Sequence, residues 1–273
     1  MNTSPKGTAL ITGASSGIGA VYADRLARRG HDLILVARNR ERLEALATRI
    51  AGDTNRSAEV IVADLTDKAD LARVEQVLRR DGGITVLVNN AGVGVNADMA
   101  DVDPDRLEGI VLLNVLAPTR LARAALPGFI ERGRGTLINI SSIAALAPEQ
   151  LNGVYGGTKA YLLALSLRLR QEVADKGVRV QVVLPGATRT PIWEKAGTDI
   201  ESLPSKMVME VDTMVDAAIA GLDRGELVTI PSLPDIADWE AYEAARQSLA
   251  PNLSLSSPAP RYGVSTLNAA GGG

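Results

Sequence analysis

Residues 8–19 read Thr8-Ala9-Leu10-Ile11-Thr12-Gly13-Ala14-Ser15-Ser16-Gly17-Ile18-Gly19. A short apolar run leads straight into a glycine-spaced turn, and a helical pattern follows from Gly17 to Arg29. In that strand-turn-helix context the glycines allow a tight turn and close approach of the backbone to a ligand. The N-terminus of the following helix offers free N–H groups and partial positive charge to a pyrophosphate. Gly13, Ser15, Ser16, Gly17, Ile18 and Gly19 are therefore the candidate contacts for a dinucleotide. The same letters, Gly13 to Gly17, also spell the G-x-S-x-G of a hydrolase nucleophile elbow around Ser15. Such an enzyme needs a histidine after its serine and acid, whereas His31, the single histidine, enters the second strand and reads as a surface loop residue.

Outward from this turn, short runs rich in Val, Ile and Leu alternate with longer helical patterns. The runs are Thr8–Thr12, Asp32–Ala37, Glu59–Ala63, Ile84–Asn89, Thr136–Ile140, Val178–Leu184 and Leu227–Ile230. Continuous apolar runs of this kind suit parallel strands covered on both faces, joined by right-handed helical crossovers. The expectation is an α/β fold, a single doubly wound domain over residues 1–250 with seven parallel strands, followed by a partly disordered extension over 251–273. Helices are expected at Arg40–Ile50, Lys68–Arg80, Pro104–Ile130 with Pro118 and Pro127 inside or bounding it, Val154–Asp175 and Thr213–Asp223. Leu163–Leu169 alternates like a strand. Yet Thr158 to Lys176 holds neither Gly nor Pro, a length that suits a helix ended by Gly177.

Composition removes several kinds of chemistry. The chain has 273 residues, no cysteine and one histidine, so disulfides, thiolate catalysis and Cys- or His-cluster metal sites drop out, and no metal is expected. A net charge of -3 and eight aromatic residues give no footprint for nucleic acid. No stretch approaches the ~18 apolar residues that a membrane span requires, and Met1–Gly7 leaves no room for a signal peptide, so no membrane and a cytoplasmic location are expected.

The second strand ends Val36-Ala37-Arg38-Asn39, without the acid that would select the 2'-hydroxyl of NAD. Arg38 can instead pair a 2'-phosphate through its permanently charged fork, which favours NADP (NADPH). Farther on, Tyr155 and Lys159 stand four apart on one helix face, and Ser142 lies thirteen residues upstream, just past the fifth strand. A phenol of ordinary pKa near 10 is a poor acid-base group at neutral pH, and lowering it by about two to three units needs roughly 3–4 kcal/mol of anion stabilisation. Lys159 and an oxidised nicotinamide are the expected source. Tyr155 would then protonate a carbonyl oxygen held by Ser142 as hydride arrives, or deprotonate an alcohol in reverse.

Taken together these residues resemble the short-chain dehydrogenase/reductase family in its common form of roughly 250 residues, over residues 8 to about 230. The ordered set includes T-G-x-x-x-G-x-G, Asp64-Leu65, Asn89-Asn90-Ala91-Gly92, Asn114, Ser142, Tyr155 with Lys159, and Pro185-Gly186 with Thr190. The resemblance implies that Asp64 bonds the adenine amino group with Leu65 in support, and that Asn90, Ala91 and Gly92 line the adenosine ribose. It implies that Asn114 holds a water through its backbone carbonyl, linking Lys159 to solvent, and that Lys159 also bonds the nicotinamide ribose. Pro185, Gly186, the Thr188 backbone and the Thr190 hydroxyl would form the nicotinamide clamp.

The segment 191–210, with Ile192, Trp193, Leu203, Met207, Val208 and Met209, reads as a substrate lid suited to a hydrophobic ketone or aldehyde. Leu146, Gln150 and Asn152 are its expected neighbours. Leu162, Leu163, Leu165, Leu167 and Leu169 cover more of a helix than one core face needs. The resembled family commonly packs this helix against its copy, so a homodimer or homotetramer is expected. Asp235–Leu249, with Trp239 and Tyr242, reads as an added helix. The function expected is NADP(H)-dependent interconversion of a carbonyl and an alcohol. The alternatives are an NADP(H)-sensing regulator on the same fold and an isomerase or dehydratase using the same tyrosine.

Overall fold

The structure, a computed structural model, describes residues 6–264 apart from 96, 148 and 150–152. Its centre is a seven-stranded, wholly parallel sheet: β1 (Thr8–Thr12), β2 (Asp32–Ala37), β3 (Ala58–Val62), β4 (Ile84–Asn89), β5 (Gly135–Ile140), β6 (Val178–Val183) and β7 (Val228–Thr229). The strand order is β3-β2-β1-β4-β5-β6-β7. The chain therefore reverses direction of growth between β1 and β4, and a parallel sheet opens its ligand crevice at the carboxyl ends of the strands on either side of such a point.

Alternation along each strand builds two cores. Ala9, Ile11, Leu33, Leu35, Val86 and Val88 face one way, packing with residues of α1 (Gly17–Arg28), α2 (Arg40–Thr54) and α8 (Val211–Arg224). Leu10, Ile34, Val36, Leu87 and Leu137 face the other, against α3 (Lys68–Arg80), α5 (Ala117–Glu131) and α6 (Gly153–Glu172). The continuous apolar runs in the sequence are this two-sided burial.

The helix expected at Pro104–Ile130 is present but not uniform: α4 (Pro104–Val111) passes through a π turn at Leu112–Leu116 into α5. The turn is closed by the Ala117 N–H on the Leu112 carbonyl, five residues back. Contrary to the expectation that no stretch is apolar enough, this helix of 28 residues could cross a membrane by length and composition. Its apolar side is spent on the sheet, with Leu121, Ala122, Ala124, Ala125 and Phe129 buried.

The leucines of α6 also divide more narrowly than the sequence implies. Leu162, Leu163 and Leu169 are buried within the chain, and Leu165 packs partly on the same core. The first compact unit closes at Ser232 and not at residue 250. The reason lies in α9 (Ile236–Ser248), in the second unit, which has no buried residue. Its Trp239 and Tyr242 rings lie 5.4 Å apart. Short 3-10 turns follow at Ala250–Asn252 and Pro260–Tyr262, and the tail at Ala269–Gly273 lies outside the described residues.

Candidate active site

The glycine turn sits where β1 ends beside β4. Gly13 has φ +66°, and a Cβ there would stand 2.9 Å from Ala91 Cα, so the turn and the segment after β4 approach backbone to backbone. Gly19 is tighter still: a Cβ would lie 2.5 Å from the Gly13 carbonyl oxygen and from Asn90 Nδ2. Thr12, which sequence reasoning left without a role, ties the two segments together. Its hydroxyl donates to the Val88 carbonyl and accepts from the N–H groups of Asn90 and Ala91, both at 3.0 Å. The signal for it was its place immediately before the first glycine.

This cradle fits a pyrophosphate. Ser16, the N-cap of α1, makes no side-chain cap bond, and the first turn carries no acid, so its free N–H groups remain available to an anion. Ser15 and Ile18 lie in the same turn and first helical residues. Arg38 follows β2 with an exposed side chain, its guanidinium 3.5 Å from Asp64. Asn39 after it caps α2, accepting from the Arg42 N–H at 2.9 Å.

Asp64 lies past β3 and closes a turn, accepting from the Thr66 N–H at 2.9 Å and hydroxyl at 2.7 Å. Burial alone would raise its pKa, but these bonds and the charge of Arg38 outweigh it and hold the carboxyl below its usual range. Leu65 is buried in the core. Asn90 spends its amide on the carbonyls of Thr12 (2.8 Å) and Gly13 (3.3 Å), so its side chain braces the turn.

Ser142 follows β5 and Tyr155 lies in the first turn of α6; the Ser142 hydroxyl accepts from the Ala144 N–H at 3.2 Å and donates to the Pro185 carbonyl at 3.5 Å. Burial pushes the phenol's pKa up, and the neighbouring Ser142 hydroxyl works against it. In the chain alone the low-dielectric surroundings penalise the phenolate more than its neighbours favour it, while the lowering expected from the sequence also draws on the charge of an oxidised nicotinamide. Lys159 Nζ lies 5.6 Å from the centre of the Tyr155 ring and donates to the Ile140 carbonyl at 3.0 Å. Burial brings its pKa down to about 8. Ser141, which the sequence reading passes over, donates to the Lys159 carbonyl at 2.7 Å and so fixes this turn of α6.

Asn114 occupies the π turn, buried. Its amide pairs with both backbone groups of Val93, at 3.0 and 2.9 Å, and donates to the Thr158 hydroxyl at 3.1 Å, which in turn donates to the Tyr155 carbonyl. A Cβ on Gly92 would be 3.2 Å from Asn114 Oδ1 and 3.5 Å from Lys159 Nζ, so these two groups flank one point. In a regular helix the Asn114 carbonyl would accept from the N–H of residue 118, and residue 118 is proline, which has none. Below them, Asn89 donates to the Pro118 carbonyl and to Asn139, and Asn139 donates to Ser166 on α6, joining β4, β5, α5 and α6.

After β6 the chain runs Pro185, Gly186, Thr188, Thr190. The Pro185 carbonyl accepts from the Ile143 N–H at 3.0 Å, which sets this loop beside Ser142. Thr190 lies against Gly17: a Cβ at 17 would meet its side chain at 3.2 Å. The expected lid includes a short helix, α7 (Ile192–Ala196). The position of a Cβ on Gly94 lies 3.6 Å from the edge of the Tyr155 ring and 3.9 Å from Ala196 Cβ, a juxtaposition no sequence spacing announces. Met209 differs from expectation, packing partly against the sheet core, while Met207 is exposed. Leu203 and Val208 are half-buried, as is Leu146 beyond the Ile143–Ala145 turn. Gln150 and Asn152 lie outside the described residues. His31 is half-buried, its ring 3.3 Å from the Gly7 carbonyl.

Residues 7–201 match the family described as short chain dehydrogenase. Among solved structures, a short-chain dehydrogenase from Sphingobium yanoikuyae in complex with NADPH is 50% identical. The match covers 94% of this chain and 99% of that one, with a TM-score of 0.91. A bulky-bulky ketone specific alcohol dehydrogenase from Comamonas testosteroni is 46% identical, covering 94% of this chain and 98% of that one, with a TM-score of 0.87. An uncharacterized oxidoreductase of Staphylococcus epidermidis is 31% identical over 223 residues, 81% of this chain and 93% of that protein.

Proposed function

The chain belongs to the short-chain dehydrogenase family, and from that premise we propose that it is an NADP(H)-dependent oxidoreductase interconverting a hydrophobic ketone or aldehyde and its alcohol. The observation that carries the reading is the half-buried Tyr155, with Ser142 and Lys159 beside it and Gly94 and Ala196 at the edge of its ring. The cradle at Gly13 and Gly19 with the N-terminus of α1 would hold the pyrophosphate, Arg38 the 2'-phosphate, and the Pro185–Thr190 loop the nicotinamide. Bound there, the nicotinamide supplies or accepts the hydride.

The chain's own residues handle the proton. Burial keeps the Tyr155 phenol protonated, the form needed to donate to a carbonyl oxygen. The Ser142 hydroxyl stands at the same oxygen and steadies the charge that develops on it. With its pKa at about 8, Lys159 is mostly an ammonium at neutral pH and favours the phenolate left behind. Asn114 holds Val93 and Thr158 in place beneath the tyrosine. Supporting NADP(H) and a ketone with two large substituents are the NADPH-bound and ketone-specific relatives together with the small residues at 94 and 196.

The same reading includes assembly as a homodimer or homotetramer through α4 to α6, supported by Val111 and Leu116, 43% and 41% exposed beside α6. Light scattering at working concentration tests it, and a monomeric mass overturns it. The activity is tested by NADPH consumption across ketones and aldehydes, with NADH and Tyr155→Phe alongside. Turnover that falls at least about 10²-fold in the variant is expected. Equal turnover without the phenol, or none with any carbonyl despite NADPH binding, overturns the reading.

A further inference from the structure

The lid is tied to the loop it grows from at three places. The Trp193 indole N–H donates to the Thr188 carbonyl at 2.8 Å. At the lid's far end the Met209 N–H donates to the Ala187 carbonyl at 2.9 Å, and the Arg189 N–H to the Met209 carbonyl at 3.0 Å. Arg189 adds ion pairs to Glu201 within the lid and to Glu210 at its end. Residues 187–189 are thus the common anchor of both lid ends.

The Thr188 carbonyl has a second donor, the Thr190 hydroxyl at 3.3 Å. A hydroxyl has one proton to give, and indole has a single N–H that cannot accept. If Thr190 turns its proton toward a nicotinamide, Trp193 alone still holds the carbonyl. Trp193 opens α7, and α7 ends with Ala196 near the Tyr155 ring edge. One hydrogen bond therefore joins the clamp to the wall of the substrate space.

We propose that Trp193 is a positioning residue for the cofactor: through the Thr188 carbonyl it locks the lid to the nicotinamide loop, so that cofactor binding and lid placement over Tyr155 are coupled. The inference rests on the NADP(H) reading above. It adds to the expectation of Trp193 as an apolar group of the lid, since the indole's only polar atom is committed to the loop.

The chain has two tryptophans, Trp193 and Trp239, so Trp239→Phe leaves Trp193 as the only indole emitter. Titrating that variant with NADP+ should change Trp193 emission saturably, with the same dissociation constant as calorimetry on the wild-type chain. Trp193→Phe keeps a ring and removes the N–H. It should weaken NADP+ binding by calorimetry about five- to tenfold, the size of one hydrogen bond. The KM for ketone at saturating NADPH should stay within about twofold, and the unfolding midpoint should fall by no more than the loss of one hydrogen bond. NADP+ binding that leaves Trp193 emission unaltered overturns the coupling, as does a raised ketone KM with unaltered NADP+ affinity. A wild-type chain that binds no NADP+ overturns the cofactor reading itself, and the inference falls with it.

Discussion

Lys159 Nζ donates to the Ile140 carbonyl, the last residue of β5, and stands 5.6 Å from the centre of the Tyr155 ring. The ammonium acts on the tyrosine through space from a fixed post on the sheet, in a buried setting that disfavours its own charge. Two pH trends of opposite sign follow. The ordinary lysine value is 10.5 and the folded value about 8, so between them the unfolded chain binds the extra proton. The cost of burying the charge is full below about pH 8 and shrinks as pH rises. Measured by urea unfolding, wild type should gain roughly 2 kcal/mol relative to Lys159→Met between pH 7 and 9.5. Carbonyl reduction should instead fall above about pH 8 as Lys159 loses its charge. A stability difference that stays flat across this range would contradict the buried ammonium.

Asn114→Ala removes three hydrogen bonds at once, two to Val93 and one to Thr158. Groups left without partners in a partly buried loop cost about 1–3 kcal/mol. Denaturant unfolding should show a loss of about 2 kcal/mol, and turnover should fall with it; an unchanged midpoint would mean the Val93 loop finds other partners.

Gly19→Ala places a methyl 2.5 Å from the Gly13 carbonyl, an atom of the main chain that cannot swing aside. Overpacking of this kind costs about 1–3 kcal/mol. NADPH affinity should drop as well, because the turn opens where the pyrophosphate is cradled. Calorimetry showing wild-type affinity would sink the cradle assignment.

Arg38→Asp replaces the exposed guanidinium beside Asp64 with a second carboxylate. The ratio of kcat/KM for NADPH over NADH should fall on the order of 10²-fold, since a charge-assisted pair is lost and a repulsion added. A ratio that does not move would place the 2'-phosphate elsewhere.

Gly94 has neither a positive φ nor a neighbour too close for a Cβ, so backbone geometry does not demand glycine there. What the missing side chain leaves is room between Tyr155 and Ala196. Gly94→Val should reduce kcat/KM for ketones with two large substituents at least about tenfold, the scale of one filled pocket. Methyl ketones should stay within about threefold. Equal losses for both would show a damaged tyrosine and not a narrowed slot.

The sequence made the sheet legible because a strand buried on both faces is written as an unbroken apolar run, as in Leu33–Val36 and Val86–Val88. The π turn at Leu112–Leu116 was not legible, since a single five-residue bond leaves apolar periodicity almost unchanged. Its one written trace is Pro118, four residues after Asn114, where a helical donor is missing. The short span of the first compact unit was also hidden: α9 has helical pattern and caps, and only burial separates it from the core helices.

By itself, then, the sequence determined the α/β class, the glycine turn and the Tyr155–Lys159 spacing, because these depend on local conformation and on neighbours a few residues apart. Only the tertiary structure decided what each group faces. Burial raises the Tyr155 pKa in the chain alone, and Lys159 is anchored to Ile140. The Asn90 amide is spent on bracing the glycine turn, and Trp193 is bound to Thr188. Desolvation and hydrogen-bond partnership are properties of surroundings assembled from distant segments, and no spacing along the chain encodes them.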